Sequence, residues 1–367
     1  MNILIDENVY FGKNIFSSVG KVNIIKKRIF KKFVLSHSDA LIIRSSIKIR
    51  KNSLQNTKVK FVGSATSGID HVDTKYLKNS KIKFSFAKGC NSRSVVEYVI
   101  SCMYFFAKKY NFFLKDKVVG IIGMGSIGSL LFKILKKMQI NTIFYDPFVK
   151  NQKNCKNLKE VAKSADIITL HVPLTKHCKH STWHLIDYNF LSSLKKNCIL
   201  INTSRGAVVD NLGLLKILKE KKEIKVALDV WENEPKFSSS LFSLIDIGTP
   251  HIAGYSLEGR LNGTFLIYKK YCKFLKIKKK FDKILFPNKP IFRFKIPEKY
   301  SISEEKIGKI IRVFCNVEKY SLFFRNNAKE DFFKIRNKYT NRREFSSIKI
   351  DTKNFRYKQQ LSNLGFS

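Results

Sequence analysis

The sequence predicts an α/β fold of doubly wound parallel sheets followed by a small α+β domain, and three observations over its 367 residues carry that reading. Short β-rich runs alternate with longer amphipathic ones through the first two thirds of the chain, the pattern of βαβ units. A glycine-rich turn at 123–128 stands between an apolar strand and a helical stretch. After about Phe281 the alternation stops: Pro287, Pro290 and Pro297 punctuate a basic aromatic stretch, and one helical pattern follows over Ser303 to Val317.

Taken in order, Met1 to Asp6, Ala40 to Arg44 and Val59 to Gly63 read as strands. Each ends in a polar residue or a glycine, where a strand's C-terminal end can face a ligand. Further strands are expected at Val118 to Ile122, Asn141 to Tyr145, Ile167 to His171, Cys198 to Asn202, Lys225 to Asp229 and Ile245 to Thr249. Helices fit between them at Ser126 to Met138 and Asn211 to Lys219, with two more near Val95 to Lys109 and Leu257 to Leu275. No repeat recurs at a fixed period, and low complexity is limited to solvated lysine runs such as Lys276 to Lys280.

Composition excludes several classes. A hydrophobic share of 44% is ordinary for packed cores and argues against disorder as the main state. The longest apolar stretch, Val95 to Ala107, is broken by Glu97 and falls short of the roughly 20 residues a membrane span needs. Acidic residues in Met1-Asn-Ile-Leu-Ile-Asp-Glu stand where a leader would be basic, so a cytoplasmic location is expected. Seven cysteines, an odd number with no C-x-x-C pair, argue against a disulfide framework and a zinc knuckle, and no metal site is expected. Lys+Arg 70 against Asp+Glu 28 leaves a net charge of +42. That charge is spread along the whole chain, whereas a nucleic-acid surface concentrates it, so it reads as drift at tolerant surface positions.

The strongest local signal is Val118-Val-Gly-Ile-Ile-Gly-Met-Gly-Ser-Ile-Gly128. Gly123 permits the tight turn, Gly125 lets backbone approach a pyrophosphate at a helix N-terminus, and Gly128 lets helix pack closely on strand. Asp146 follows at the end of the next strand; a carboxylate there accepts from ribose hydroxyls and repels a 2′-phosphate, so NAD is expected over NADP. Three further blocks each follow an apolar strand: Asn202-Thr-Ser-Arg-Gly, Asp229-Val-Trp-Glu-Asn-Glu-Pro and Thr249-Pro-His-Ile-Ala-Gly-Tyr. Their strand-end placement puts Arg205, Glu234 and His251 where chemistry is expected. Oxidising a secondary alcohol needs a hydride acceptor, a base and a cation for the substrate carboxylate; NAD, His251 and Arg205 supply these, and Glu234 beside the histidine would fix its tautomer.

These blocks resemble the D-isomer-specific 2-hydroxyacid dehydrogenase family, which shares the glycine fingerprint, the Ser-Arg-Gly block, the Asp-Val-Trp/Phe-Glu-x-Glu-Pro block and the Pro/Ser-His-x-Ala/Gly-Gly block. The resemblance implies that Arg205 and Glu234 are active-site residues and His251 the proton donor or acceptor. It implies substrate contacts at Ser45, Thr66 and Tyr255, and NAD contacts at Asp146, Thr175, Thr203, Ser204, Arg205, Asp229 and Gly254. Local turn bonding is the competing reading for Ser45, Thr66 and Thr175. Arg44, at a strand end beside Ser45, is the candidate for a substrate phosphate.

The implied organisation is a substrate-binding domain (1–92 with 257–280), an inserted Rossmann NAD-binding domain (93–256) and a C-terminal dimerisation domain (281–367). Both of the first two are Rossmann-like, with the active site in an interdomain cleft and the crossing helices as its hinge. The expected substrate is a small phosphorylated 2-hydroxy acid, acted on by a homodimer. A 3-phosphoglycerate or other D-2-hydroxyacid dehydrogenase is the alternative enzyme; a dinucleotide sensor or nucleic-acid binder on the same fold is the non-enzymatic one.

Overall fold

A computed structural model describes residues 1–26, 36–149, 153–220, 223–278, 292–296, 303–339 and 341–367. Pro287, Pro290 and Pro297 lie outside these residues, as does the end of the Lys276–Lys280 run. The chain divides into two compact units, 1–91 with 257–288 and 92–256 with 289–367.

The first unit is built on five parallel strands: β1 (Asn2–Asp6), β2 (Lys21–Ile25), β3 (Ala40–Ile43), β4 (Phe61–Ser64) and β5 (Lys83–Phe86), in the order β2-β1-β3-β4-β5. Alternate side chains point to opposite faces. Ile3, Ile5, Ala40, Ile42 and Phe61 pack with Leu261, Phe265, Tyr268 and Tyr271 of the Leu257–Phe274 helix, whereas Leu4, Leu41, Ile43 and Val62 join Leu77 on the other face. Gly63 lets the helix approach closely, because a Cβ there would stand 2.4 Å from Cγ2 of Ile267. The strand order reverses between β1 and β3, and ligands in such sheets bind outside the strand C-termini at that reversal. Asp6 ends β1 there.

The second unit holds six parallel strands, β6 (Val118–Ile122), β7 (Asn141–Tyr145), β8 (Ile167–Leu170), β9 (Ile199–Asn202), β10 (Lys225–Leu228) and β11 (Ile247–Gly248), in the order β11-β10-β9-β8-β6-β7. Val119, Ile121, Ile167, Ile199 and Ile201 face the Ser92–Lys109 helix through Val95, Val99 and Phe106. Ile168, Leu170, Leu200 and Leu228 face Val161, Leu191 and Leu214 on the other side. The C-terminal segment shares the first of these cores: Ile307, Ile311, Phe345, Ile348, Leu361 and Leu364 belong to it. Here β12 (Phe292–Lys295) pairs in parallel with β13 (Ile348–Asp351).

Two features differ from the sequence reading. The helical pattern over Ser303 to Val317 forms the helix Glu304–Phe314, but a second helix that the pattern does not announce, Val317–Asn326, follows it, capped by Asn316, which accepts from the Lys319 N–H at 2.9 Å. The edge strands β2 and β5 went unanticipated; their side chains are largely exposed or half-buried, so they carry no clean apolar alternation.

Candidate active site

The glycine turn is built as its spacing requires. Gly123 has φ +97°, and a Cβ there would stand 2.8 Å from the His171 carbonyl oxygen. A Cβ on Gly128 would come within 2.0 Å of the Gly123 carbonyl oxygen, so helix and turn touch backbone to backbone. A Cβ on Gly125 would meet nothing within 4 Å, which leaves this backbone open at the N-terminus of the Ser126–Lys137 helix. Asp146 accepts from Met124 N–H with Oδ2 (2.7 Å) and from Phe148 N–H with Oδ1 (2.9 Å). It thereby ties the turn to the end of β7, and each oxygen keeps a lone pair for a ribose hydroxyl. Thr203 Oγ1 is buried with no partner among the described residues. An open glycine backbone, a carboxylate with spare acceptor capacity and an unsatisfied buried hydroxyl are what a dinucleotide would need. His171, behind the turn, has its pKa pushed down to about 3 by burial and stays a neutral, structural ring.

Arg205 follows β9 on a turn closed by Asn202. Asn202 Oδ1 accepts from Ser204 N–H (3.0 Å) and Oγ (2.8 Å), while its Nδ2 donates to the Arg205 carbonyl (2.9 Å). The guanidinium donates from Nη1 to the Ser204 carbonyl at 2.7 Å. Glycine must follow, because a Cβ on Gly206 would lie 1.9 Å from the Trp231 carbonyl carbon. The Arg205 turn is thus pressed against the loop that carries Glu234.

Asp229, 1% exposed, holds the histidine segment together. Its carboxylate accepts from Thr249 Oγ1 (2.6 Å), Ile252 N–H (2.7 Å) and Ala253 N–H (2.8 Å), and its carbonyl accepts from His251 N–H (2.7 Å). Burial raises its pKa above the ordinary carboxylate range, opposed by the His251 charge and these donors. His251 itself has φ +57°, a left-handed conformation that this ring of bonds over-determines.

His251 Nδ1 and Glu234 Oε2 stand 2.7 Å apart, and Glu234 Oε1 accepts from Trp231 N–H at 2.9 Å. Burial alone would raise the Glu234 pKa. The His251 charge and hydrogen bond, the Trp231 N–H and the Arg336 charge outweigh it and hold the carboxylate below its usual value. With Nδ1 engaged by Glu234, Nε2 is the ring nitrogen left to exchange a proton with a substrate. Tyr255, four residues on, has its hydroxyl 3.4 Å from Asn337 Oδ1 and its ring under Arg336 at 5.1 Å.

Other expected residues make local bonds. Thr66 Oγ1 pairs with Ser64 Oγ (2.7 Å) and donates to the Gly68 carbonyl (2.9 Å), and Thr175 is wound into a turn with Thr182. Ser45 is exposed. Asp6, which sequence reasoning did not single out, anchors the neighbouring turn by accepting from Arg44 N–H (3.1 Å) and Ser46 Oγ (2.5 Å). A second histidine–carboxylate pair, His184 with Glu232 at 2.8 Å, lies beside Asp210. Asp210 spends its carboxylate capping the Asn211–Lys219 helix, so this trio reads as a hydrogen-bonded cap.

Residues 106–253 match the family model "D-isomer specific 2-hydroxyacid dehydrogenase, NAD binding domain". Over its full length the chain is 47% identical to the erythronate-4-phosphate dehydrogenase of Wigglesworthia glossinidia brevipalpis, covering 98% of that protein. It is 42% identical to that of Baumannia cicadellinicola, covering 99%. The chain belongs to the erythronate-4-phosphate dehydrogenase family. It is an NAD-dependent dehydrogenase of the 2-hydroxyacid class, and residues 285–365 match a further family described as a domain of unknown function (DUF3410). Among solved structures it is similar to the NAD+-bound 3-phosphoglycerate dehydrogenase of Entamoeba histolytica (TM-score 0.65, 27% identity, 75% of this chain and 95% of that one). It shares its fold with a D-lactate dehydrogenase of Aquifex aeolicus (TM-score 0.58, 24% identity, 75% and 96%). Among the described residues no helix is long and apolar enough to cross a membrane.

Proposed function

We propose that the protein oxidises 4-phospho-D-erythronate at C2 to (R)-3-hydroxy-2-oxo-4-phosphooxybutanoate, a step of vitamin B6 synthesis. The His251–Glu234 pair at 2.7 Å carries this reading, since it sets a base beside an acid that stabilises the imidazolium. The curated relatives that match the whole chain supply the substrate.

In this mechanism Nε2 of His251 takes the C2 hydroxyl proton as the C2 hydrogen leaves with its electron pair. Glu234 keeps the proton's counter-charge close through Nδ1 and holds the tautomer that leaves Nε2 basic. Arg205 holds the substrate carboxylate with its planar fork. Ser45, Thr66 and Tyr255 contact the substrate, and Arg44 takes its phosphate. Gly123, Gly125 and Gly128 shape the pyrophosphate turn, Asp146 takes the adenosine ribose, and Thr175, Thr203, Ser204, Asp229 and Gly254 border the rest of NAD. Bound there, NAD supplies the hydride acceptor. We place the enzyme in the cytoplasm as a homodimer joined through its C-terminal region.

The test is NADH formation with 4-phosphoerythronate and 3-phosphoglycerate side by side. A kcat/KM at least about a hundredfold higher for the four-carbon acid is expected, the scale of an enzyme built around its own substrate's polar groups. Equal turnover, or a preference for 3-phosphoglycerate, overturns the assignment.

A further inference from the structure

The segment that carries His251 is held from two sides. Asp229 holds one, through the N–H groups of Ile252 and Ala253. The other is held by residues nearly ninety positions later in the chain. Nη2 of Arg342 donates to the Ala253 carbonyl in a short hydrogen bond, so this one residue has its N–H on Asp229 and its C=O on Arg342. Three residues on, Ser256 Oγ donates to Glu344 Oε1 at 2.9 Å. Arg342 is 8% exposed, Glu344 4% and Ser256 fully buried.

The clamp is itself fixed to the Ser92–Lys109 helix. Nη2 of Arg342 also donates to the Ser94 carbonyl (3.0 Å) and to Ser94 Oγ, and Phe345 N–H donates to Glu97 Oε1 at 2.9 Å. A buried guanidinium stabilises a fold poorly, since well-packed apolar side chains of similar volume often do as well or better. Here one end of the guanidinium, Nη2, shares its two protons among three oxygens, two of Ser94 on the helix and the carbonyl of Ala253 two residues beyond His251, while Nη1 donates to Cys315 Sγ at 3.8 Å. The contact ties the helix and the histidine segment together at one point.

We propose that Arg342 and Glu344 are positioning residues of the active site, which clamp the His251–Ser256 segment so that His251 meets Glu234. The C-terminal region that matches the family of unknown function thereby forms part of the catalytic scaffold of its own chain. The proposal rests on the reading of His251 as the proton acceptor. Among the described residues, the charged groups coupled to that ring include Glu234, Asp229 and, through Glu234, Arg336. A slip of the segment would draw His251 away from Glu234 and misplace it against the substrate, which lowers the rate.

The test uses full-length Arg342→Lys, Ser256→Ala, Glu344→Ala and Glu344→Gln, with His251→Asn alongside. Turnover of 4-phosphoerythronate, NAD affinity by calorimetry, melting temperature and the pH dependence of kcat/KM are read for each. Ser256→Ala, Glu344→Ala and Arg342→Lys are expected to lower kcat by about tenfold to a hundredfold, the scale of a misplaced catalytic group. NAD affinity should fall by less than kcat does, because the glycine turn and Asp146 are untouched and only Gly254 and Asp229 of the proposed cofactor contacts adjoin the clamped segment. The pH profile of kcat/KM should change as the His251–Glu234 contact loosens, and Glu344→Gln, which keeps an acceptor for Ser256, should recover most of what Glu344→Ala loses. Folded variants with wild-type kcat and pH profile overturn the proposal. So does a loss of rate that tracks a loss of NAD affinity and melting temperature with no change in the pH profile. If Arg342→Lys does not fold, Ser256→Ala, which removes one hydroxyl, decides by the same criteria. Full activity in His251→Asn instead overturns the proton-acceptor reading, and does so whatever the clamp variants show.

Discussion

Glu234 is gripped at both carboxylate oxygens, Oε2 by His251 Nδ1 at 2.7 Å and Oε1 by the Trp231 N–H at 2.9 Å. The acid therefore cannot swing away from the ring it orients. Replacing His251 by Asn should leave NAD binding nearly intact while kcat falls by roughly a hundredfold or more, the usual scale for a lost general base. Turnover within a few-fold of wild type would remove His251 from the proton transfer. Glu234→Gln should change the pH dependence of kcat/KM, because a neutral amide replaces the carboxylate that stands 2.7 Å from His251 Nδ1. A profile superposable on wild type would take Glu234 out of the mechanism.

Asp146→Ala is expected to weaken NAD and relax the discrimination against NADP, because the ribose acceptor and the charge that repels a 2′-phosphate vanish together. The same change frees the Met124 and Phe148 N–H groups, which a 2′-phosphate could then use. Equilibrium binding of both cofactors checks this, and discrimination that survives would mean another group reads the ribose.

Two glycines make opposite predictions. At Gly206 an added methyl would strike the Trp231 carbonyl carbon at 1.9 Å, and backbone cannot yield as a flexible side chain does. Gly206→Ala should cost about 1–3 kcal/mol of stability and disturb the Arg205 turn, with rate and melting temperature falling together. At Gly125 the methyl meets nothing, so Gly125→Ala should melt like wild type yet bind NAD about tenfold more weakly, a loss of ~1.4 kcal/mol. Calorimetric melting and NAD titration of both variants separate the cases; unchanged NAD affinity in Gly125→Ala would remove the backbone of this turn from the cofactor site.

The contrast shows which parts of the molecule are legible in sequence. Central strands such as Ile167–Leu170 announce themselves as short apolar runs because both faces are covered, and the glycine spacing at 123–128 encodes contacts made within a few residues. Arg205, Glu234 and His251 stand out because each follows such a strand. The threonines proved harder to read: Thr66 and Thr175 are engaged in their own turns, a bond any loop threonine can make. Least legible were the partners of Asp6 and Arg342. The bonds of Asp6 to the 44–46 turn and of Arg342 to Ala253 span tens of residues, and a pairing over such a distance leaves no period behind.

Glu97 lies buried beside this clamp, and its carboxyl is pushed well above the ordinary range, by burial first and by the nearby Glu344 second, against Arg342 and the Phe345 N–H. The folded protein therefore holds this proton more tightly than the unfolded chain does. Its contribution to stability is whole below the unfolded pKa of 4.5 and is lost as pH climbs through the raised folded value. Glu97→Gln keeps an acceptor for the Phe345 N–H and removes the ionisation. The variant should gain on wild type as pH rises from acid to alkaline, by roughly 2 °C or more in melting temperature. A difference that does not change with pH would show that Glu97 does not titrate differently in the two states.

Arg44 directs the last prediction to the first sheet. Its N–H and the Ser46 hydroxyl both rest on Asp6, so the turn after β3 is fixed by backbone and by a neighbour, and truncating the Arg44 side chain leaves those bonds in place. Arg44→Ala therefore removes the guanidinium while the backbone anchor of the turn stays. If the guanidinium takes the substrate phosphate, KM for 4-phosphoerythronate should rise about tenfold to a hundredfold, the scale of a charge-assisted hydrogen bond of roughly 1.5–3 kcal/mol. Residual activity on unphosphorylated erythronate should hardly change, because that substrate has no dianion to lose. Asp6→Asn serves as the contrast: it weakens the anchor of the whole turn and should cost both substrates alike. Equal losses on both substrates from Arg44→Ala would place Arg44 with Asp6 in the scaffold and send the search for the phosphate site elsewhere.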